Sequence, residues 1–394
     1  MNETASAKTA PLASATERVA EERSSRLRFL WASDRTTVQT GTGRHHANPI
    51  NLSVHGARGL FAMAVYVYHI SNSGLPVWDM PHFVAEFFHS LKFGVELFFA
   101  ISGYVIAGTL ARARSPGHFI LNRATRIFPV LWVAVLCIVA MSLVSGRELP
   151  ATLDPASLGL LTVANLLALP GIFPLPLFHP AAWTLSFELV FYVLCFVHLL
   201  ALRRWKANLL LPAFAVGLVL VFFFPRGLFF ISGVIVASAS LKGLPSALTR
   251  FAGLWLALFL FSWMLVANPD QPFFTTMGDW IGTAKPFWAL VAFAAATLML
   301  EGISRGEGWL AGVLRTKPML WLGTISYSLY LWHVIVLGVV KALMYATGIP
   351  TLVGPWSQLA FLAISIVPTL VLSHLSQIVL EQGATNLLRA RFKA

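Results

Sequence analysis

From residue 52 onward, apolar runs of membrane-crossing length alternate with short polar or basic connections. They predict transmembrane helices over about 52–71, 87–110, 127–145, 184–202, 207–224, 227–241, 251–267, 286–301, 319–345 and 357–380. The stretch 156–178 is also apolar, but Pro170, Pro174 and Pro176 interrupt it, so it is expected to be re-entrant or interfacial rather than a full crossing. Pro225-Arg226-Gly227 predicts a tight turn between two of the spans. The fold class that follows is an all-α polytopic membrane helix bundle, with about ten transmembrane helices and one re-entrant or interfacial segment. Residues 1–50 break the pattern. They are polar, rich in Ala, Ser and Thr, and lack the apolar core of a cleavable signal peptide, which predicts a largely disordered cytoplasmic tail with a short helix near Glu17–Trp31. The expected domains are this tail, a transmembrane domain over 51–385 and a short basic cytoplasmic tail over 386–394.

Composition agrees with this reading. Hydrophobic residues make up 57% of the 394 and charged residues 11%, less than half the roughly 25% charge of a soluble domain. The net charge of +12 would suit nucleic acid, but its distribution points to membrane orientation instead. With the N-terminus inside and ten crossings, all but five of the 28 Lys and Arg fall on cytoplasmic segments; the exceptions are Lys92, Arg147, Arg226, Lys285 and Lys341. The expected location is the bacterial inner membrane, with both termini cytoplasmic. Cys137 and Cys195 lie inside apolar runs and read as small core residues. His45 and His46 are adjacent in the tail but have no further ligand at a useful spacing, and no metal is expected.

The polar residues inside the spans are the candidate chemistry. An ionisable group at mid-membrane costs on the order of 2.5–3.5 kcal/mol, so it faces a bundle interior or a wet cavity. Arg58 and His69 are eleven residues apart on the first span, which is roughly 16 Å of rise and three full turns, so they share one helix face. Glu96 lies in the second span, where Arg58 is the kind of cation expected to pair with it. Ser102-Gly103 farther along reads first as small-residue helix packing. Arg123 and Arg126 are spaced to share one face near a helix start. Ordinary cytoplasmic charge explains such a pair, and so does a site for a phosphate-bearing donor. Trp183 is expected to anchor the interface at the head of the span that carries Glu188. Glu188 and His69 fall at similar expected depth near the outer surface, where a carboxylate–imidazole pair would serve a general base. Ser326, Tyr327, Tyr330 and His333 recur at helical spacing in the ninth span, and His179 is a further candidate on the outer face. Metalloprotease, P-loop, Rossmann and nucleophile-elbow motifs are all absent.

Five segments in order carry a resemblance: Arg58-x10-His69; GVELFFAISGYVI with Glu96 and Ser102; RATRIFP with Arg123 and Arg126; WTLSFELVFY with Trp183, Ser186, Glu188 and Tyr192; and GTISYSLYLWH with Ser326, Tyr330 and His333. Together they resemble the acyltransferase 3 family of integral-membrane acyltransferases, which modify cell-envelope glycans and some secondary metabolites. The resemblance spans about residues 52–340. It implies an acyl-CoA donor, most often acetyl-CoA, drawn from the cytoplasm, and transfer to a hydroxyl of a saccharide or lipid-linked glycan at the outer face. It also implies that the Arg58–His69 motif is required, with His69 the leading catalytic residue; that Arg123 and Arg126 serve activity and donor binding; and that Glu188 matches the family's carboxylate. His55 stands where the family often has an acid, and no extra-membrane hydrolase-like domain is expected after the bundle.

The expectation is therefore an acyl-CoA-dependent O-acyltransferase in contact with membrane lipid and without a nucleic-acid partner. A transporter or flippase of a glycan precursor suits the same spans and buried charges, and acylation of a metabolite such as a macrolide is the variant acceptor class. The sequence leaves oligomeric state open.

Overall fold

The computed structural model describes residues 51–391, apart from residues 112, 114, 147–148, 239, 242 and 267–275. The expected N-terminal tail, including the Glu17–Trp31 helix and the His45–His46 pair, lies outside the described residues, as does the end of the C-terminal tail. In chain order the main helices are α1 (Leu52–Ser71), α2 (His82–Ser90), α3 (Gly94–Ala111), α4 (Pro116–Ser145), α5 (Pro155–Leu166), α6 (Trp183–Arg204) and α7 (Leu210–Phe223). They continue with α8 (Leu228–Ala237), α9 (Ala252–Val266), α10 (Lys285–Arg305), α11 (Gly308–Leu314), α12 (Lys317–Ala346) and α13 (Ser357–Ser376). A π-helical segment, Gln377–Gly383, then leads into α14 (Ala384–Arg391). No β-strand occurs among the described residues, as expected where lipid cannot satisfy an open sheet edge.

Each predicted span falls on a helix. Six helical stretches are long and apolar enough to cross a membrane: His82–Leu110, Pro116–Ser145, Trp183–Arg204, Lys285–Arg305, Lys317–Ala346 and Ile349–Leu387. The other four predicted spans are α1, which has the length but carries His55, Arg58 and His69, and the shorter α7, α8 and α9. The Pro-rich stretch does not form a continuous helix. Its helical part, α5, is capped by Asp154, whose carboxylate accepts from the Ala156 and Ser157 amides at 3.0 and 3.1 Å. The chain then runs irregularly to α6, held by buried Asn165, which donates to the Leu161 and Pro176 carbonyls and accepts from the Phe178 amide at 2.8 Å.

Two interfaces hold the site's helices together. α1 packs along α12, and α3 packs along α8. Small residues allow both approaches. Gly59 lies against the Gly323 backbone, and Gly103 and Gly233 lie against the backbones of Phe230 and Ala100. The expectation of small-residue packing at Ser102-Gly103 is thus met by Gly103, and its serine is free for other work. His55, at the position of the family's acid, sits in the α1–α12 seam, where its Nε2 lies 3.1 Å from the Leu320 carbonyl.

This seam yields a test. A methyl group on Gly233 would meet backbone atoms that have nowhere to move, whereas Gly217 has open space around it. Overpacking of this kind costs about 1–3 kcal/mol. Gly233→Ala is expected to lower the melting temperature of the detergent-purified protein clearly, with Gly217→Ala close to wild type; equal melting curves for the two would refute the packing assignment.

Candidate functional site

α4 begins at Ser115, whose hydroxyl accepts from the His118 amide at 3.0 Å, with Pro116 in the first turn. Its interior Pro129 removes the amide that would bond the Thr125 carbonyl. Thr385 Oγ1 approaches that carbonyl at 3.4 Å, so the chain's C-terminal segment fills the gap that proline opens. Tyr327 OH donates to the Ile127 carbonyl at 2.7 Å and ties α12 to the same turn. These contacts fix the two arginines of α4.

Arg123 and Arg126 project into a cavity of about 90 Å³ that Arg58, Ser102, Glu188, Thr184, Ser326, Tyr327 and Tyr330 also line. Helices α1, α3, α4, α6 and α12 each supply at least one of these groups. Glu188 accepts from Ser102 Oγ at 2.9 Å, and Tyr192 OH donates to the same carboxylate oxygen. Arg123 Nη2 donates to Thr109 Oγ1 at 3.3 Å, and the guanidinium lies 5.9 Å from the Tyr192 ring centre. Its Nε is buried without a hydrogen-bond partner among the described residues. A guanidinium cannot shed its charge, so three permanent cations and the Glu188 carboxylate share one small space.

The structure separates two residues that the sequence suggested as a pair. Glu188 makes its hydrogen bonds to Ser102 and Tyr192 and shares the cavity with Arg123 and Arg126, instead of lying at a different depth from them beside His69. The residue at His69 is His333, at 5.1 Å between ring centres, with Tyr68 on the other side at 5.1 Å. His333 Nδ1 lies 3.0 Å from the Leu329 carbonyl, which assigns it the proton and leaves Nε2 a buried acceptor with no partner among the described residues. Tyr330 joins the two regions: it lines the cavity, hydrogen-bonds Thr184 at 3.1 Å, and stands 6.0 Å from the His333 ring.

Glu96 likewise has a different partner from the one expected. Arg58 lies near the start of α1 and lines the cavity, whereas Glu96 sits in the first turn of α3, fully buried, with Arg226 Nη1 3.5 Å away. Arg226 comes from the tight turn between α7 and α8 and lies 5.1 Å from the Trp183 ring centre. Trp183 is itself buried, packed at ring contact with Phe99 and Phe187. Ser186 donates to the Ala168 carbonyl at 2.6 Å, which holds the irregular segment before α6, and Ser326 donates to the Gly323 carbonyl within α12. His179 is fully buried, 3.0 Å from the Leu331 carbonyl. Sequence reasoning passed over Glu381. It lies in the π-helical segment, where Ser328 Oγ donates to it at 2.6 Å, and it is within electrostatic reach of Arg126 and Arg58. No group of residues able to hold a metal ion occurs among the described residues.

A family model described as an acyltransferase domain matches residues 51–375. The chain is similar to the exopolysaccharide production protein ExoZ of Rhizobium meliloti, at 29% identity over 279 residues, or 65% of this chain and 80% of that protein. It is similar to the peptidoglycan O-acetyltransferase OatA of Listeria monocytogenes, at 24% identity over 323 residues, or 71% of this chain and 48% of that protein. The chain thus spans about half the length of the Listeria relative. A shorter similarity, 29% identity over 126 residues, covers 29% of this chain and 34% of nodulation protein 10 of Rhizobium leguminosarum. No solved structure matches the chain.

The Glu96–Arg226 pair makes a prediction independent of any activity. Removing one partner of a buried pair costs about 3–5 kcal/mol, whereas replacing both with apolar groups is often neutral. Arg226 retains 29% side-chain exposure, so the low end of that range applies. Arg226→Met should therefore melt well below wild type, and Glu96→Leu with Arg226→Met should recover most of the loss. A double variant no more stable than the single one would show that the pair is not what holds this corner.

Proposed function

The chain belongs to the acyltransferase 3 family of membrane acyltransferases, and from that premise we propose that it moves an acetyl group from cytoplasmic acetyl-CoA to a hydroxyl of a saccharide or lipid-linked envelope glycan on the outer side of the inner membrane. The observation that carries this reading is one cavity shared by Arg58, Arg123, Arg126 and Glu188, with Tyr330 joining its wall to the His333–His69 pair. The saccharide acceptor is drawn from relatives named for exopolysaccharide production and peptidoglycan O-acetylation.

In this reading Arg123 and Arg126 hold anionic groups of the donor, and Arg58 lines the donor path. Arginine suits a donor path because its charge is permanent and its donors are fixed in a plane. The thioester arm enters the cavity in this reading, and the nucleotide stays toward the cytoplasm. Glu188, held by Ser102 and Tyr192, balances the arginines and keeps them oriented. His69, in ring contact with His333 and Tyr68, is the base in this reading. It takes the proton of the acceptor hydroxyl as that oxygen bonds to the carbonyl carbon. The carbon–sulfur bond then breaks, and the thiolate leaving group takes the proton. His333, with Nε2 as an unfilled acceptor, positions His69 in the role sequence spacing suggested for Glu188.

General-base help contributes about 10²–10⁴-fold. His69→Ala is therefore expected to insert and fold like wild type while losing transfer by at least that lower factor, measured as acetyl release from [¹⁴C]acetyl-CoA by protein in liposomes. His333→Ala should cut kcat with little change in donor KM. Wild-type rates in His69→Ala would sink the assignment. Mass spectrometry of envelope glycans from a deletion strain tests the acceptor class, through loss of an acetyl mass that the wild-type gene restores.

A further inference from the structure

A second cavity, of about 620 Å³, lies along another face of α6. α6 turns Thr184, Leu185 and Glu188 to the arginine cavity, and Phe187, Phe191 and Leu194 to this one. α7 and α8 form the facing walls, and Leu110 near the end of α3 also lines it. The volume falls within the roughly 300–1,000 Å³ of ordinary ligand pockets, and the lining is almost wholly apolar. Gly217 of α7 belongs to that lining, and a methyl group added there would meet nothing within 4 Å. The two ends of the cavity differ. One is apolar, at Ile172, Phe224 and Gly227. At the other, the walls converge on cations. α6 runs from His198 to Arg203 and Arg204, the connection to α7 carries Lys206, and α7 rejoins the wall at Leu211. Arg203 Nη2 donates to the Ala113 carbonyl, three residues past Leu110, which ties the end of α3 to the same rim. Arg204 and Lys206 are exposed. His198 interrupts the apolar lining at this end; it is only 8% exposed, and its Nδ1 has no hydrogen-bond partner among the described residues. A buried polar group without a partner costs free energy that a ligand oxygen would relieve.

We propose that this cavity binds one anionic phospholipid, with a fatty-acyl chain along Phe187, Phe191 and Leu194 and the phosphate at the rim of Arg204 and Lys206. Charge complementarity selects the occupant. An apolar channel alone takes any hydrocarbon, whereas one with cations at a single end favours a chain that ends in a phosphate. The lipid's ester and phosphate oxygens bring acceptors to the His198 end, where the lining is otherwise apolar. A long-chain acyl-CoA shares this chemistry. With its chain in the cavity, however, its thioester would sit at the basic rim near His198, ten residues or roughly 15 Å along α6 from Glu188. The occupant is therefore a lipid of the membrane and not the donor, and the site stands independently of the donor reading. Because the same helix carries Glu188 on another face, the bound lipid steadies the element that supplies the arginine cavity with its carboxylate.

The test strips the full chain of lipid in detergent. It is then titrated with phosphatidylglycerol, or with phosphatidylcholine carrying the same acyl chains, and followed by native mass spectrometry and thermal melting. One phosphatidylglycerol per chain is expected to bind saturably, roughly tenfold more tightly than phosphatidylcholine, and to raise the melting temperature. Gly217→Phe places a ring in the open space and should abolish both the bound lipid and its thermal shift. Arg204→Gln with Lys206→Gln leaves the apolar walls intact and should erase the preference, so that the two lipids bind alike. These exposed substitutions keep the test decisive if Gly217→Phe does not accumulate. Equal or unsaturable binding of the two lipids to the wild type, or a preference that survives either variant, overturns the proposal. So does one-to-one binding of palmitoyl-CoA that phosphatidylglycerol fails to displace, since that would give the cavity to the donor.

Discussion

The structure is organised around positive charge that cannot be discharged. Arg58, Arg123 and Arg126 line a cavity between helices that sit in a low-dielectric setting. A lysine or carboxylate there could turn neutral; a guanidinium cannot. The surrounding helices supply polar partners there: Glu188 from α6, with its two hydroxyl donors, lines the same cavity, and Thr109 from α3 accepts from Arg123. The same rule governs the opposite end of α3, where fully buried Glu96 meets Arg226 over the face of Trp183.

That requirement explains features that would otherwise look like irregularities. Pro129 opens α4 one turn beyond Arg126; the freed Thr125 carbonyl accepts from Thr385 and the nearby Ile127 carbonyl accepts from Tyr327, which ties α12 and the C-terminal segment to the arginine helix. The irregular stretch before α6 is held by Asn165 and Ser186, so that Thr184 and Glu188 arrive at the cavity from a rigid start. Tyr330 stands at the boundary, with one side on the cavity and the other toward the histidines. α12 runs alongside α1, bringing Tyr330 to the cavity wall and His333 to His69.

The helices were legible because membrane burial imposes a pattern that a sequence must carry: long apolar stretches, basic connections, and proline where a crossing fails. Each predicted span falls on a helix, and 156–178 contains only the short α5. Candidate residues were legible for a related reason, since a polar group in an apolar run is costly enough to require a purpose; ten of them converge on the cavity and its histidine annex. Glu381 escaped notice because it sits at the end of an apolar run, where a carboxylate looks like ordinary surface charge. Arg226 escaped because a single cation in a turn looks the same whether it faces water or a buried acid.

Periodicity and hydropathy by themselves determined the fold class, the order of the helices, the shared face of Arg58 and His69, and which polar side chains had to be accommodated inside. Partner choice was decided only in three dimensions. Glu188 went to the arginines and not to His69, Glu96 went to Arg226 and not to Arg58, and His69 found His333. The reason is physical: a one-dimensional pattern fixes depth and facing along each helix to within a turn, but an ion pair or hydrogen bond is settled within about 3–4 Å. That last margin depends on how closely glycine-lined seams such as Gly59–Gly323 and Gly103–Phe230 let the helices approach.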